Sequence, residues 1–212
     1  MHTRLDATLF LLVGLSVFLM APACHGSLQN SVMRHQNKGL IRQDIDKLSQ
    51  FDEYIRYFSG FSYFLPRHKV SADFVRALIL AESGANPQAV SNKKAFGLGQ
   101  ILYSTGSQAG RELAQSSIVF HHVSKHKLNS LKEEDLFDPA INILLTCYLI
   151  AKYNQRFNGR LDLVVSAWNA GENTESLNYG KHAPYSETED LIGKINAYYV
   201  YLLKTRTFPK YK

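Results

Sequence analysis

The chain has 212 residues, which is enough for one domain with a hydrophobic core and a short leader. Hydrophobic residues make up 45% of it and charged residues 20%, values that are typical of a globular protein and argue against a disordered chain or a coiled coil. The formal net charge of +6 favours contact with anionic material, but the basic residues are scattered rather than gathered in one arm, so no nucleic-acid partner is expected.

The N-terminus, residues 1–23, has the layout of a secretory signal peptide. Arg4 precedes an apolar run from Leu9 to Met20, and the small residues Ala21-Pro22-Ala23 follow at once. The run is too short to span a bilayer comfortably, and a buried core helix is the alternative interpretation. We therefore expect an exported protein. Cleavage before Cys24 would leave either a soluble periplasmic protein or, if Cys24 is lipidated, an outer-membrane lipoprotein anchored through its lipid.

The two cysteines, Cys24 and Cys147, are too few for a disulfide framework or a zinc cluster. Cys147 lies in an apolar segment and is predicted to be a buried free thiol, with a disulfide to Cys24 as the less favoured alternative. His121, His122 and His126 lie in a segment predicted to be a loop and lack the partners of a zinc motif. No metal and no cofactor are therefore expected.

The chain divides into a short N-terminal part and one main domain. Residues 24–39 are polar and are predicted to form a linker. Apolar residues then recur at three- and four-residue steps, which predicts an amphipathic N-terminal helix within residues 40–66 that packs on the domain. The main domain is predicted over residues 67–205, followed by a tail at 206–212.

Helix signals recur throughout the main domain. Ser71 is a predicted N-cap. Asp138 and Pro139 predict the cap and the first residue of a strongly apolar helix. Ser186 with Glu189 forms a capping-box pattern before the last helix. Because the sequence has no strong alternating strand pattern and no internal repeat, the predicted fold class is all-α or nearly so.

Glu82 is the strongest candidate for chemistry. It follows Leu78 by four residues and Ile79 by three, so it projects from the apolar face of its helix, in the last turn, where the helix dipole disfavours a negative charge. Burial and dipole would both raise the pKa of its carboxyl group, which suits a general acid. Taken alone, a glutamate that reaches solvent at a helix end is the alternative.

The motifs around Glu82 strengthen the catalytic interpretation. Glycines at 97 and 99 let the backbone approach a ligand closely, Gln100 offers both a donor and an acceptor, and Trp168 beside Asn169 suits a sugar with an acetamido group. Their order and spacing resemble the soluble lytic transglycosylase (SLT) domain family, which has a lysozyme-like fold, over about residues 70–203. The resemblance rests on Glu82-Ser83, Ser91, Gly97-Leu98-Gly99-Gln100, Phe137-Asp138-Pro139, Asn142-Ile143, Ala167-Trp168-Asn169-Ala170-Gly171 and Pro184-Tyr185-Ser186-Glu187-Thr188.

The resemblance implies a monomeric enzyme that acts on the glycan strands of peptidoglycan. Glu82 would protonate the glycosidic oxygen between N-acetylmuramic acid and N-acetylglucosamine. It would then take the proton of the C6 hydroxyl, which closes a 1,6-anhydro ring without water. The resemblance also implies the substrate-binding residues Ser83, Ser91, Gly97, Leu98, Gln100, Trp168, Asn169 and Tyr185.

Three residues depart from the family pattern. Gly99 replaces the usual Met and is expected to widen the floor of the site. Trp168 and Leu191 each replace a Tyr, and Trp168 thereby removes a hydroxyl group that could bond near Glu82. We therefore expect lower activity or an altered substrate preference. Two other functions remain open: a muramidase that hydrolyses the same bond with a carboxylate or positioned water opposite Glu82, and an inactive wall-binding scaffold of a secretion machine.

Overall fold

The structure is a computed structural model that describes residues 25–64, 66 and 68–208. The predicted signal peptide and Cys24 lie outside the described residues. The first part of the described chain contains α1 (His25–His35), α2 (Arg42–Ser49), α3 (Asp52–Ser59), α4 (Ala72–Ser83), β1 (Ala95–Phe96), β2 (Ile101–Leu102) and α5 (Tyr103–Gln115). The second part contains α6 (Lys125–Asn129), a 3₁₀ helix (Glu133–Phe137), α7 (Pro139–Arg156), α8 (Leu161–Ala170), α9 (Glu175–Asn178) and α10 (Ser186–Thr205).

The fold is mostly helical, as predicted, and α7 forms its centre. Residues 140–150 of α7 are all buried, and the helix contacts α3, α5 and α8. Its start follows the prediction, because the Asp138 carboxylate accepts hydrogen bonds from the backbone N–H groups of Ala140 (2.8 Å) and Ile141 (3.2 Å), and Pro139 opens the helix. The antiparallel hairpin β1–β2 pairs Phe96 with Ile101 and is too short to produce an alternating sequence pattern.

The N-terminal part differs from its prediction. Where a linker was predicted, residues 25–35 form α1, which packs along α10. The contact is close because a Cβ atom on Gly193 would lie only 2.5 Å from the Ser31 hydroxyl oxygen. The side chains of His35 and Asp190 also meet at 2.9 Å. This helix escaped prediction because the residue it buries most fully, Ser31, is small and polar, and because the segment has too few apolar residues to show a helical period.

The predicted N-terminal helix within 40–66 is two helices in the structure. Helix α2 ends at Ser49, and α3 begins at Asp52 and ends at Ser59. Apolar residues on both sides of the break, such as Leu48 and Ile55, are fully buried in the same core, so the periodicity continues across a change in direction.

The predicted capping box before α10 is wrong. The N-cap residue is Tyr185, one position before Ser186, and no side chain caps it. Glu189 is buried, and its carboxylate lies 3.1 Å from Nε2 of His182 instead of reaching back to the helix start. Packing of the preceding loop on α10 therefore took precedence over a local capping pattern.

His121 and His122 lie against aromatic residues, whereas His126 lies in α6, where a loop was predicted. The His122 ring packs edge-on against Tyr54 and Tyr57, at 5.1 and 4.7 Å between ring centroids. Within residues 25–64, 66 and 68–208, no group of three or more His, Cys, Asp or Glu side chains is placed to hold a metal ion. Cys147 is free and fully buried, and burial raises the pKa of its thiol. None of the described helices has the length and apolar character needed to cross a membrane.

Candidate active site

Glu82 lies in the last turn of α4, at the edge of a groove. The helix begins where the Ser71 hydroxyl accepts a hydrogen bond from the Phe74 N–H (3.4 Å), and it ends at Gly84, whose φ of +61° is the left-handed conformation that glycine adopts without strain. The turns between these ends are buried, so α4 is a fixed support. Glu82 itself is only partly buried and faces the groove.

The groove has a volume of about 490 Å³ and brings together residues from four separate parts of the chain. It continues into a second cavity of about 580 Å³, and Gln100, Leu102, Trp168 and Asn169 line both. A cleft of this extent can hold several units of a polymer. The lining residues around Glu82 are Ser91, Asn92, Lys93, Ala95, Gln100, Leu102, Trp168, Asn169 and Glu187.

The surroundings of Glu82 favour its protonated form. Burial raises the pKa of the Glu82 carboxyl from 4.5 to about 7, and the negative charge of Glu187 adds to this effect. The ammonium groups of Lys194 and Lys93, together with the indole N–H of Trp168 as a hydrogen-bond donor, act in the opposite direction. A carboxyl group whose pKa lies near neutral pH can both donate and accept a proton in one reaction.

Glu187 places a second carboxylate in the same groove. Lys93 Nζ lies 2.8 Å from Glu187 Oε2, and Asn169 Nδ2 donates to Oε1 at 3.5 Å. The hydrogen bond from Lys93 holds the pKa of the Glu187 carboxyl below its ordinary value. Glu187 was part of the sequence pattern, but it lies far from Glu82 along the chain and its interval from Glu82 did not mark it as a partner.

Hydrogen bonds from Asn142 hold the loop that carries Gln100 in place. The Asn142 amide nitrogen donates to the carbonyl oxygens of Phe96 (3.0 Å) and Leu136 (2.8 Å), and its amide oxygen accepts from the Gly99 N–H (2.8 Å). All its polar atoms are thus satisfied inside the core, where an unpaired amide would be costly. Asn142 was noted in the sequence pattern, but only the structure reveals its supporting role.

The implied substrate-binding residues fall into three groups. Ser91, Gln100, Trp168 and Asn169 line the groove together with Glu82. Ser83, Gly97 and Leu98 lie behind the groove and support it. Tyr185 is exposed at the start of α10 and is not among the groove-lining residues.

The supporting group links α4 to the glycine-rich loop. Ser83 follows Glu82 directly in the sequence. Its hydroxyl donates a hydrogen bond to the carbonyl oxygen of Leu98 at 2.8 Å. The Leu98 side chain is fully buried. Gly97 has a φ of +71°, and any Cβ atom there would collide with the Leu136 carbonyl oxygen and the Asn142 amide. These residues set the shape of the groove without facing a ligand.

Gln100 and Ser91 each keep one polar group available for a ligand, whereas Asn169 is held by its neighbours. The Gln100 amide nitrogen donates to the carbonyl oxygens of Ala89 (3.1 Å) and Gly97 (2.9 Å), which leaves its amide oxygen for a ligand. The Ser91 hydroxyl accepts from the Ala95 N–H at 3.0 Å and still has its own proton to donate. Asn169 is oriented by the Thr188 hydroxyl, which donates to its amide oxygen at 2.6 Å.

Two of the three departures from the family pattern, Gly99 and Trp168, are neighbours in the structure, and the small residue at 99 leaves room for the large ring at 168. A Cβ atom at Gly99 would collide with the Thr146 hydroxyl and lie 3.4 Å from Cζ2 of Trp168, so the expected widening of the floor is not found. The indole ring of Trp168 lies beside this position, and its N–H lowers the pKa of the Glu82 carboxyl. Leu191 is buried in the core and stands away from this exchange.

Residues 65–189, more than half of the chain, match the model of the Transglycosylase SLT domain family. The chain belongs to this family, and its groove is that of a lysozyme-like domain.

Individual relatives agree with this assignment. A provisionally named soluble lytic murein transglycosylase of Haemophilus influenzae is 29% identical over 168 residues, which cover 73% of this chain and 26% of that protein. The 70-kDa soluble lytic transglycosylase of Escherichia coli has a similar fold, with a TM-score of 0.57 and 22% identity over 73% of this chain and 24% of its own. Its complex with bulgecin A gives a TM-score of 0.58 and 22% identity, over 75% and 25% of the two chains. The chain thus spans about a quarter of the length of these relatives.

Proposed function

We propose that the chain is a peptidoglycan lytic transglycosylase with Glu82 as its acid and base. It would cleave the β-1,4 bond between N-acetylmuramic acid and N-acetylglucosamine without water and leave 1,6-anhydro ends. The observation that carries the proposal is the state of Glu82, whose pKa is raised to about 7 by burial at the edge of a long cleft. Membership of the SLT family and the name of the murein-acting relative support the choice of substrate.

The reaction would use one carboxyl group twice. Protonated Glu82 donates its proton to the glycosidic oxygen as the bond from that oxygen to C1 breaks, and the acetamido oxygen of the sugar stabilises the positive charge at C1. The Glu82 carboxylate then accepts the proton of the C6 hydroxyl, whose oxygen bonds to C1 and closes the anhydro ring. General acid–base catalysis of this kind contributes about 10²- to 10⁴-fold to a rate.

The groove residues would hold the sugar on either side of this bond. The Ser91 hydroxyl and the Gln100 amide oxygen face the groove with a free donor and a free acceptor, which suits hydroxyl and acetamido groups. The Trp168 ring offers an apolar surface beside the Asn169 amide. Sugars present both kinds of surface, so this mixture fits a glycan better than a wholly apolar ligand.

A muramidase is the second candidate, because Glu187 offers a carboxylate in the same groove. As a base it would activate water for attack on C1. Its bond to Lys93 works against this role, because a carboxylate held by an ammonium group is a weaker base. An inactive wall-binding scaffold is the third possibility, and an intact Glu82 with a raised pKa argues against it.

We also propose that the protein is exported and acts in the periplasm as a monomer. The basis is the signal-peptide pattern of residues 1–23 and the location of murein outside the cytoplasm. Lipidation of Cys24 would add an anchor in the outer membrane. Mass spectrometry of the mature N-terminus would separate the lipidated form from the soluble one.

Mass spectrometry of fragments released from purified sacculi tests the enzymatic proposal, with Glu82→Gln as the control. Products one water lighter than reducing-end muropeptides, absent with the variant, are expected. Reducing ends that carry the added water would identify a muramidase. Binding to sacculi without any fragments would identify a scaffold.

A further inference from the structure

The C-terminal end of α4 has a carbonyl group that the helix itself does not satisfy. The Gly84 N–H bonds to the carbonyl oxygen of Leu80 (3.1 Å), and the Ala85 N–H passes back to that of Ile79 (3.5 Å). This pattern bypasses Ala81, the residue directly before Glu82. Helix ends commonly leave such carbonyl groups for side chains to bind, and lysine suits them because the end carries partial negative charge.

Lys194 supplies the missing donor. Its Nζ atom, which comes from α10, donates to the carbonyl oxygen of Ala81 at 2.6 Å. Among the charged groups that act on Glu82, Lys194 has the largest effect and lowers the pKa of that carboxyl against the effect of burial. The ammonium group therefore contacts the backbone of the catalytic turn and acts electrostatically on its side chain at the same time.

Helix α1 and the segment after it surround Lys194. Ser31 packs against Gly193, the residue before Lys194, and His35 binds Asp190 one helical turn earlier. The Lys38 ammonium group lies over the ring of Tyr198 at 5.2 Å from its centroid. Burial and the nearby charge of Lys38 lower the pKa of the Lys194 ammonium group, whereas Glu82 and Asp190 raise it. Apart from Glu82, the residues of this environment lie outside residues 65–189, the part that matches the family.

We propose that Lys194 is a positioning residue for Glu82: it caps the C-terminal end of the catalytic helix and keeps the carboxyl group facing the groove in a form that both gives and receives a proton, while α1 holds Lys194 in place. The kinetic part of this inference rests on the proposed function. A lysine that only caps the helix would contribute to stability and leave the protonation of Glu82 unchanged.

Trp168 offers a way to measure this without substrate. It is the only tryptophan in the chain, it lines the groove together with Glu82, and it lowers the pKa of that carboxyl, so its fluorescence should change when Glu82 loses its proton. Three other groups act on the same carboxyl group: Glu187, Lys93 and Trp168 itself. They stay the same in every variant at position 194. The full chain should give a fluorescence transition near pH 7, and Glu82→Gln should abolish it.

The decisive comparison is between substitutions at position 194. Lys194→Gln and Lys194→Met should each move the transition upward by about one pH unit, because a favourable positive charge is removed. Lys194→Arg should restore most of the original midpoint. Lys204→Gln, at an exposed position of the same helix, is the matched control and should leave it unchanged.

The alkaline limit of sacculus cleavage should move in the same direction as the fluorescence midpoint. An unmoved midpoint in a folded Lys194→Gln or Lys194→Met protein, judged by circular dichroism, would overturn the inference. Failure of the proposed function gives a different result, because the wild-type protein would then release no fragments while the fluorescence midpoint still shifted. If Gln unfolds the chain, the Met variant keeps the apolar stem that packs between α4 and α10 and still removes the charge.

Discussion

Two helix ends meet at the groove, and each carries a glutamate in a different state. Glu82 lies at the C-terminal end of α4, where burial raises the pKa of its carboxyl to about 7. Glu187 lies in the first turn of α10, is mostly exposed and pairs with Lys93, so its carboxyl pKa is lowered. A helix C-terminus disfavours a negative charge and an N-terminus favours it. The surroundings, and not the residue type, therefore separate a proton carrier from a permanent anion.

The largest expected effect follows from removing the proton carrier. Glu82→Gln keeps the shape of the side chain but cannot transfer a proton, so the rate of glycan cleavage should fall by at least about 10²- to 10⁴-fold. The measurement is the release of soluble fragments from sacculi. Glu187→Gln is the matched control, and equal losses in both variants would erase the distinction between the two helix ends.

The same substitution should stabilise the fold at neutral and alkaline pH. Because the folded pKa of Glu82 lies near 7 and its ordinary value is 4.5, the folded chain holds a proton that the unfolded chain releases between these values. The free energy of unfolding of the wild type should therefore fall as pH rises through this window, by about 3 kcal/mol. Urea unfolding at pH 4 and pH 8 should show Glu82→Gln more stable than the wild type at pH 8, with little difference at pH 4. A parallel pH dependence in the two proteins would contradict the raised pKa.

Glu187→Gln should reduce activity less than Glu82→Gln does, and it should shift the alkaline limit of activity. The negative charge of Glu187 raises the pKa of Glu82, so its removal should move the alkaline limit of activity to lower pH. We expect the maximal rate to fall by less than about tenfold, because the remaining acid still transfers the proton. The pH–rate profile is the measurement. An upward shift would mean that Glu187 does not act on Glu82 through its charge.

Trp168→Phe should have the smallest effect. It removes the indole N–H but keeps an aromatic ring over Gly99, so the pKa of Glu82 should rise slightly and the alkaline limit should move up with it. Trp168→Tyr restores a hydroxyl group and should give a profile between those of Phe and the wild type. If Phe and Tyr behave alike, a donor at this position has no effect on Glu82.

Local signals in the sequence predicted the elements that are locally determined. The start of α4 at Ser71, the cap at Asp138 and the position of Glu82 on the apolar face of its helix each follow from neighbours within one or two turns. The family motif also predicted Gln100 and Asn169 as site residues, and both line the groove with Glu82.

Features that depend on distant partners could not be predicted. Helix α1 has few apolar residues and is held by the close contact of Ser31 with Gly193, which no periodicity reveals. Glu187 and Lys194 reach Glu82 only because α10 packs on α4. Likewise, only the structure shows that Gly99 lies against the side chains of Thr146 and Trp168, which leave no room for a larger residue.

Cleavage of sacculi in water enriched in heavy oxygen tests the central claim most directly. If Glu82 alone acts as acid and base and the C6 hydroxyl is the nucleophile, the new ends should be anhydro sugars that contain no heavy oxygen. Heavy oxygen at C1 of the released sugars would mean that water attacks instead. A second group, with Glu187 as the first candidate, would then be the base, and the assignment of both roles to Glu82 would be wrong.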